Sequence, residues 1–190
     1  MQFQRFDLAA IAATPWKNGG GSTREIACWP PGAGFEQFDW RVSIASIAAS
    51  GPFSVFAGVD RIICLLEGDG VQLQGPAIAH RLDVPLQPFA FSGDVPVDCS
   101  LLGGASRDFN VMTRRGRLHA TLRVLRGAAE LPPAAHGLLL ALRGRWQVGD
   151  ASVAPQQGLW WADAVQTLPL DSTDVDAALL AVVWHPAATA

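Results

Sequence analysis

Basic and amide side chains stand beside glycine turns and on alternating strand-like segments, a pattern suited to holding a small anion. Lys17, Asn18 and Arg24 flank three consecutive glycines in PWKNGGGSTREI, residues 15–26. Arg41 and Ser43 alternate with apolar residues in FDWRVSIASI, Arg61 opens RIICLLEG, and Asp108 and Asn110 alternate around Phe109 in DFNVM. A guanidinium can grip a carboxylate through two parallel hydrogen bonds, and the lysine, amide and hydroxyl groups add further donors. Each residue also has a plainer reading. The glycine run can be a tight turn between two strands, Arg41 can face solvent, Asp60 can pair with Arg61 at the surface, and Asp108 and Asn110 can bond a turn backbone. Arg114 and Arg115 read equally as a solvated edge or an anion contact.

Other chemistries fit less well. A phosphate-binding P-loop needs its lysine after the last glycine, and Lys17 comes before. A dinucleotide fingerprint counted from Gly19 reaches Arg24 where glycine is required. The histidines are His80, His119, His136 and His185, with none paired at short spacing, so no metal set is recognisable and neither a metal nor another cofactor is expected. No GxSxG elbow is present. His119 could act as a general base if it lined a barrel, although an exposed or structural histidine is the commoner outcome. Glu67, Asp69 and Asp94 read as turn residues.

The elements that must position these groups are strands. Short apolar runs lie between recurrent glycines and prolines, without a sustained helical period, which predicts an all-β protein. In FDWRVSIASI, Phe38, Trp40, Val42 and Ile44 alternate with Asp39, Arg41, Ser43 and Ala45, giving one apolar and one polar face. Glu67-Gly68-Asp69-Gly70 between two apolar segments predicts a hairpin. In RLHATLRVL, His119, Thr121 and Arg123 share a face. The last third repeats the plan: LLLALRGRWQVG follows the order of CLLEGDGVQLQG, GLWWADAVQTL that of QPFAFSGDVPV, and ALLAVVWH that of DCSLLGG. This order predicts an internal duplication into two small β-barrels, residues 1–116 and 117–190, an arrangement compatible with strand exchange between them. Trp146, Trp160 and Trp161 are expected to pack the second.

The chain has 190 residues and a formal net charge of −3 without a basic run, so the footprint of a nucleic-acid binder is missing. MQFQRFDLAA lacks the basic start and apolar core of a signal peptide, and no apolar run approaches a membrane span. A soluble, cytoplasmic protein is expected, with Cys28, Cys64 and Cys99 as reduced core residues.

PWKNGGGSTREIA, WRVSIASI, GPFSVFAGVDRIICLLEG, FSGD and DFNVMTRRG, in that order, resemble the HutD/Ves family; the C-terminal third matches mainly in layout. The resemblance implies a double cupin (bicupin) fold without the usual cupin metal set. It further implies a modulator of histidine utilisation that acts through a small ligand such as urocanate or formylglutamate. In the family pattern the arginine and serine corresponding to Arg41 and Ser43 belong to the motif, which favours a pocket over solvent. The reading that follows is a non-enzymatic binder of a small carboxylate. Lys17, Asn18 and Arg24 form one wall, Arg41, Ser43 and Arg61 lie along the strands, and Asp108 and Asn110 close the far side. A metal-independent cupin isomerase or hydrolase, with His119 or Asp108 as base, and a protein-interaction module are the alternatives. A homodimer is compatible with the strand edges.

Overall fold

The computed structural model describes residues 3–34 and 36–187. The strands are runs of two to nine residues between turns, lengths that suit strands better than helices. Among the described residues a single 3-10 turn, Leu8–Ala10, is capped by Asp7, whose carboxylate accepts from the Ala9 N–H at 2.9 Å. The chain opens with β1 (Gln4–Asp7). Next come β2 (Thr14–Pro15), β3 (Gly21–Trp29), β4 (Trp40–Ile47), β5 (Gly51–Pro52), β6 (Val59–Glu67), β7 (Val71–Gly75), β8 (Ile78–Leu82), β9 (Pro88–Ser92), β10 (Asp98–Leu101) and β11 (Ser106–Arg114). The last third holds β12 (Leu118–Leu125), β13 (Ala129–Glu130), β14 (His136–Arg143), β15 (Trp146–Val148), β16 (Ala151–Val153), β17 (Gln157–Trp161), β18 (Pro169–Asp171) and β19 (Ala178–Pro186).

Two compact units result, one of Ala12–Arg117 and one of Met1–Ile11 with Leu118–Ala190. The sequence division assigned the first eleven residues to the N-terminal barrel. The structure places them with the C-terminal segment, because β1 pairs antiparallel with β17, Gln4 opposite Trp160 and Asp7 opposite Gln157. That pairing satisfies backbone groups that an open edge would leave bare.

The unit of residues 12–117 has a six-stranded sheet ordered β2-β3-β4-β11-β6-β9 and a four-stranded sheet ordered β5-β10-β7-β8. Ile63, Leu65, Val71, Leu73, Val97 and Cys99 are among the residues of its main apolar core. The other unit has sheets ordered β1-β17-β14-β19-β12 and β13-β18-β15-β16. Its core gathers Leu139, Ala141, Trp146, Leu159, Trp161, Leu179 and Ala181. Both core tryptophans find acceptors for their indole N–H, Arg143 O at 3.1 Å for Trp146 and Ala134 O at 3.0 Å for Trp161, as buried indoles require.

The order β4-β11-β6-β9 in one unit matches β12-β19-β14-β17 in the other, and β5-β10-β7-β8 matches β13-β18-β15-β16. The first two sequence correspondences fall on matching strands, but the third does not: ALLAVVWH lies on β19, which matches β11, whereas DCSLLGG begins with β10, which matches β18. A local expectation also fails. Glu67–Gly70 does not close a hairpin, since β6 pairs with β11 and β9 while β7 pairs with β10 and β8. The segment carries the chain from one sheet to the other. Gly68 and Gly70 there have φ of 94° and 86°, where glycine is favoured for crossings as well as for hairpins.

The glycine run is a turn between strands: β2 pairs with β3, and the Trp16 N–H donates to Gly21 O at 2.9 Å. Gly19 has φ of 71°, and a Cβ on Gly21 would lie 2.3 Å from Ser46 O and 2.9 Å from the Trp16 ring. Gly20 O accepts from the N–H groups of Ala48 and Ala49 at 2.9 and 3.1 Å, tying the turn to the end of β4. Gly21→Ala is expected to lower stability by about 1–3 kcal/mol through overpacking, and Gly20→Ala to change it by less than about 0.5 kcal/mol. Urea unfolding of both variants is the measurement; equal losses would show that close approach at Gly21 does not fix the turn.

Candidate functional site

The antiparallel ladder of β4, β11 and β6 sets the site, because register partners in adjacent strands present their side chains to one face. Met112 lies opposite Arg41 on one side and Arg61 on the other. Two residues along, Asn110 lies opposite Ser43 and Ile63, and then Asp108 opposite Ala45 and Leu65. The alternate residues Trp40, Val42, Ile44, Phe109 and Val111 are buried at 0–1% exposure, so the polar row is held on its face by the apolar row behind it.

This polar face lines a cavity of about 490 Å³, within the size range of small-molecule sites. Lys17, Asn18, Arg41, Ser43, Arg61, Asp108 and Asn110, all expected in a site from sequence, line it together. Arg24 does not. Thr23 lines the cavity while Arg24, the next residue, lies opposite Ile44 in the register, so strand alternation turns it to the other face. His119 is exposed, on β12 of the other unit, and does not line the cavity. Trp16, Phe53, Phe56, Ile63 and Met112 also line it. Met112 was findable by counting two residues on from Asn110; Phe53 and Phe56, on an irregular segment, carried no periodic signal.

The polar groups divide into satisfied and unsatisfied. Asn18 uses its side-chain oxygen to accept from the Gly20 N–H at 3.0 Å, leaving its amide N–H₂ as a donor. Trp16 Nε1 donates to Thr23 Oγ1 at 2.8 Å. Arg41 Nε donates to Glu25 at 2.5 Å, with Arg41 12% and Glu25 51% exposed. Arg61 is only 6% exposed. Its guanidinium lies 4.9, 5.2 and 5.8 Å from the ring centroids of Phe91, Phe53 and Phe56, cation–π contacts that partly replace lost hydration. It does not pair with Asp60, whose carboxylate accepts from Arg115. Arg115 also bonds Asp94, which in turn accepts from the Gly58 N–H, and Arg114 donates to Ala57 O and lies over the Phe38 ring. These two arginines brace loops and do not line the cavity. Among the buried side-chain atoms of the described residues, Arg61 Nε, both Asp108 oxygens and Asn110 Oδ1 have no hydrogen-bond partner.

Burial lowers the Arg61 pKa from 12.5 to about 10, with Arg41's charge adding to the effect and Asp108 opposing it; the guanidinium stays charged at neutral pH. Burial raises the Asp108 carboxyl from 3.8 to about 7, against the pull of Arg61. Cys99 and Cys64 are pushed up to about 12 by burial and then by the charge of Asp108. All three cysteines are free thiols. Among the described residues no group of three or more His, Cys, Asp and Glu side chains could hold a metal ion, and no helix is long and apolar enough to cross a membrane.

The family model for HutD matches residues 8–179. The chain belongs to the HutD family. The Ves protein of Citrobacter koseri is 41% identical over 186 residues, covering 97% of this chain and 96% of its own. A conserved protein of unknown function from Pseudomonas aeruginosa PAO1 has a TM-score of 0.86 and 35% identity over 97% of this chain and 99% of that one. HutD from Pseudomonas fluorescens SBW25 has a TM-score of 0.85 and 32% identity over 98% of this chain and 100% of that one. A cupin 2 conserved barrel domain protein from Leptotrichia buccalis is 8% identical with a TM-score of 0.59 over 95% of both chains, a likeness of fold alone. This HutD-family chain is thus all-β and cupin-like.

The buried carboxyl makes stability depend on pH. Because the folded-state pKa of Asp108 lies above the unfolded one, its contribution is fully present below about pH 4 and is lost as pH rises to about 7. Between about pH 5 and pH 8 the loss is on the order of 3 kcal/mol, or several degrees in thermal midpoint. The Asp108→Asn protein is expected to lack this component. Thermal melts of both proteins across that interval test it; an equal fall in the two would remove Asp108 as the cause.

Proposed function

We propose that this HutD-family protein is a non-enzymatic small-molecule binder that holds a small carboxylate in the cavity of residues 12–117. It acts in the cytoplasm as a modulator of histidine utilisation, with an intermediate such as urocanate or formylglutamate as its ligand, on a two-cupin architecture that arose by duplication. The observation that carries the reading is the pairing of two guanidiniums, Arg41 and Arg61, with unpartnered acceptors on Asp108 and Asn110 inside one cavity. The arginine row suits a carboxylate, and the acceptors suit an N–H at the ligand's other end. Lys17 and the Asn18 amide stand where the mouth could add donors. Orphaned polar atoms of this kind are uncommon in a finished core and are what a ligand would satisfy.

A second reading is favoured by one observation: a carboxyl near neutral pKa could move a proton to or from a bound substrate, giving a metal-independent isomerase or hydrolase.

Proton NMR titration with urocanate, formylglutamate, glutamate and histidine, followed over hours, separates these readings. Ligand broadening with unchanged ligand peaks supports binding without turnover, and new peaks favour the enzyme. Arg41→Ala is expected to weaken binding by about ten- to a hundredfold, the worth of a charge-assisted contact. The partly exposed pair with Glu25 contributes at most about 1 kcal/mol, so the fold should survive. Unchanged affinity in the variant would remove Arg41 from the site.

A further inference from the structure

The cavity contains one ionisable group whose charge the surrounding fold does not fix. Asp108 is 0% exposed, and neither of its oxygens accepts a hydrogen bond among the described residues. Five charged or titratable groups interact with it or share its cavity. Arg61 on β6 and Arg41 on β4 line the cavity with it, Cys99 comes from β10, and Cys64 from β6. Lys17 stands on the β2–β3 turn. The Arg41 charge is already met by Glu25. The two thiols, pushed up to about 12, stay neutral at physiological pH. The remaining balance is between Arg61 and Asp108.

We infer that the cavity takes up its carboxylate ligand together with one proton, and that Asp108 receives the proton. The inference rests on the carboxylate-binding reading above. An arriving carboxylate brings a second anion to Arg61, whose buried guanidinium makes no ion pair among the described residues. Two carboxylates sharing one site beside a single buried guanidinium do not both stay ionised; one takes a proton from solvent. The ligand's carboxylate, placed against the unpartnered Arg61 Nε, keeps its charge, and Asp108 becomes the acid. Protonation also changes what Asp108 can do. An ionised carboxylate only accepts, whereas the acid has an O–H to donate to the ligand's carboxylate or to the unpartnered Asn110 Oδ1.

The sign follows from linkage. Below the free-state pKa of about 7 Asp108 already carries its proton and affinity is level. Above it, affinity falls by up to about tenfold per pH unit until the higher pKa of the bound state is passed. The same balance selects among ligands. A molecule that brings an ammonium group can neutralise ionised Asp108 directly and needs no proton, so an N-acylated amino acid and its free parent should differ in pH dependence.

Calorimetry with N-formyl-L-glutamate tests the inference, since its amide does not ionise and its carboxylates remain charged throughout. Titrations at about pH 8 in two buffers of different ionisation enthalpy should show close to one proton absorbed per ligand, and affinity should drop by about fivefold from pH 7 to pH 8. Asp108→Asn should absorb no proton and bind with the same affinity across that range. A second measurement needs no variant: in wild-type protein with ¹³C-labelled aspartate carboxyls, the resonance titrating near neutrality should move to higher pH when ligand saturates the site. Binding without proton uptake and with level affinity would overturn the inference and leave the binding reading standing. Proton uptake that persists in Asp108→Asn would overturn it by placing the proton elsewhere. No binding at any pH would overturn both.

Discussion

The site depends on one constraint, the two-residue alternation of side chains along three strands held in register. On β4 and β11 the alternation is complete: Trp40, Val42, Ile44, Phe109 and Val111 are buried on one face while Arg41, Ser43, Asp108 and Asn110 line the cavity on the other. A slip of one residue in either strand would exchange the faces and set arginine and aspartate among tryptophan and valine, at a cost of several kcal/mol per charge. The apolar row therefore does more than stabilise the sheet. It fixes which face each polar group occupies, and the ladder then brings Arg41, Met112 and Arg61 into one row from three separate parts of the chain.

What the sequence made legible is what alternation governs within a single strand. FDWRVSIASI and DFNVM showed their faces, and the cavity residues on β4 and β11 follow from them. Arg24 was misplaced because the start of β3 at Gly21, which sets its parity, is not marked in a run of three glycines. Arg61 was legible as a polar residue opening a strand. The aromatic rings that shield it come from Phe53, Phe56 and Phe91, and only Phe91 is its register partner in the neighbouring strand. Pairing between distant strands has no local signature. For that reason Glu67–Gly70 read as a hairpin when it is a crossing between sheets, and β1 was assigned to the wrong unit.

The repeated topology offers an internal comparison. At the sheet positions where one unit carries the Arg61 strand β6 and the Asp108 strand β11, the other carries β14 and β19. The core of that second unit is apolar, with Leu139, Leu179 and Ala181 packed about Trp146 and Trp161. Trp161 fits so closely against β14 that a Cβ on Gly137 would lie 2.2 Å from its ring. The strand plan can thus be filled with apolar side chains, and nothing in the plan itself requires a buried arginine or carboxyl.

That comparison bears on why the polar cavity exists. Burying a guanidinium against aromatic rings and leaving a carboxyl without a partner are both unfavourable for folding, and well-packed apolar replacements of buried charges are often neutral or stabilising. The unit with the apolar core shows such a solution on the same strand order. Packing does not explain Arg61 and Asp108 in the hollow unit. Groups that fold unfavourably but stand in register on one wall of a cavity are better accounted for by something that enters it. The free energy withheld from folding at Arg61 Nε, Asp108 and Asn110 Oδ1 is then available to a ligand whose charge and hydrogen-bonding groups complement them.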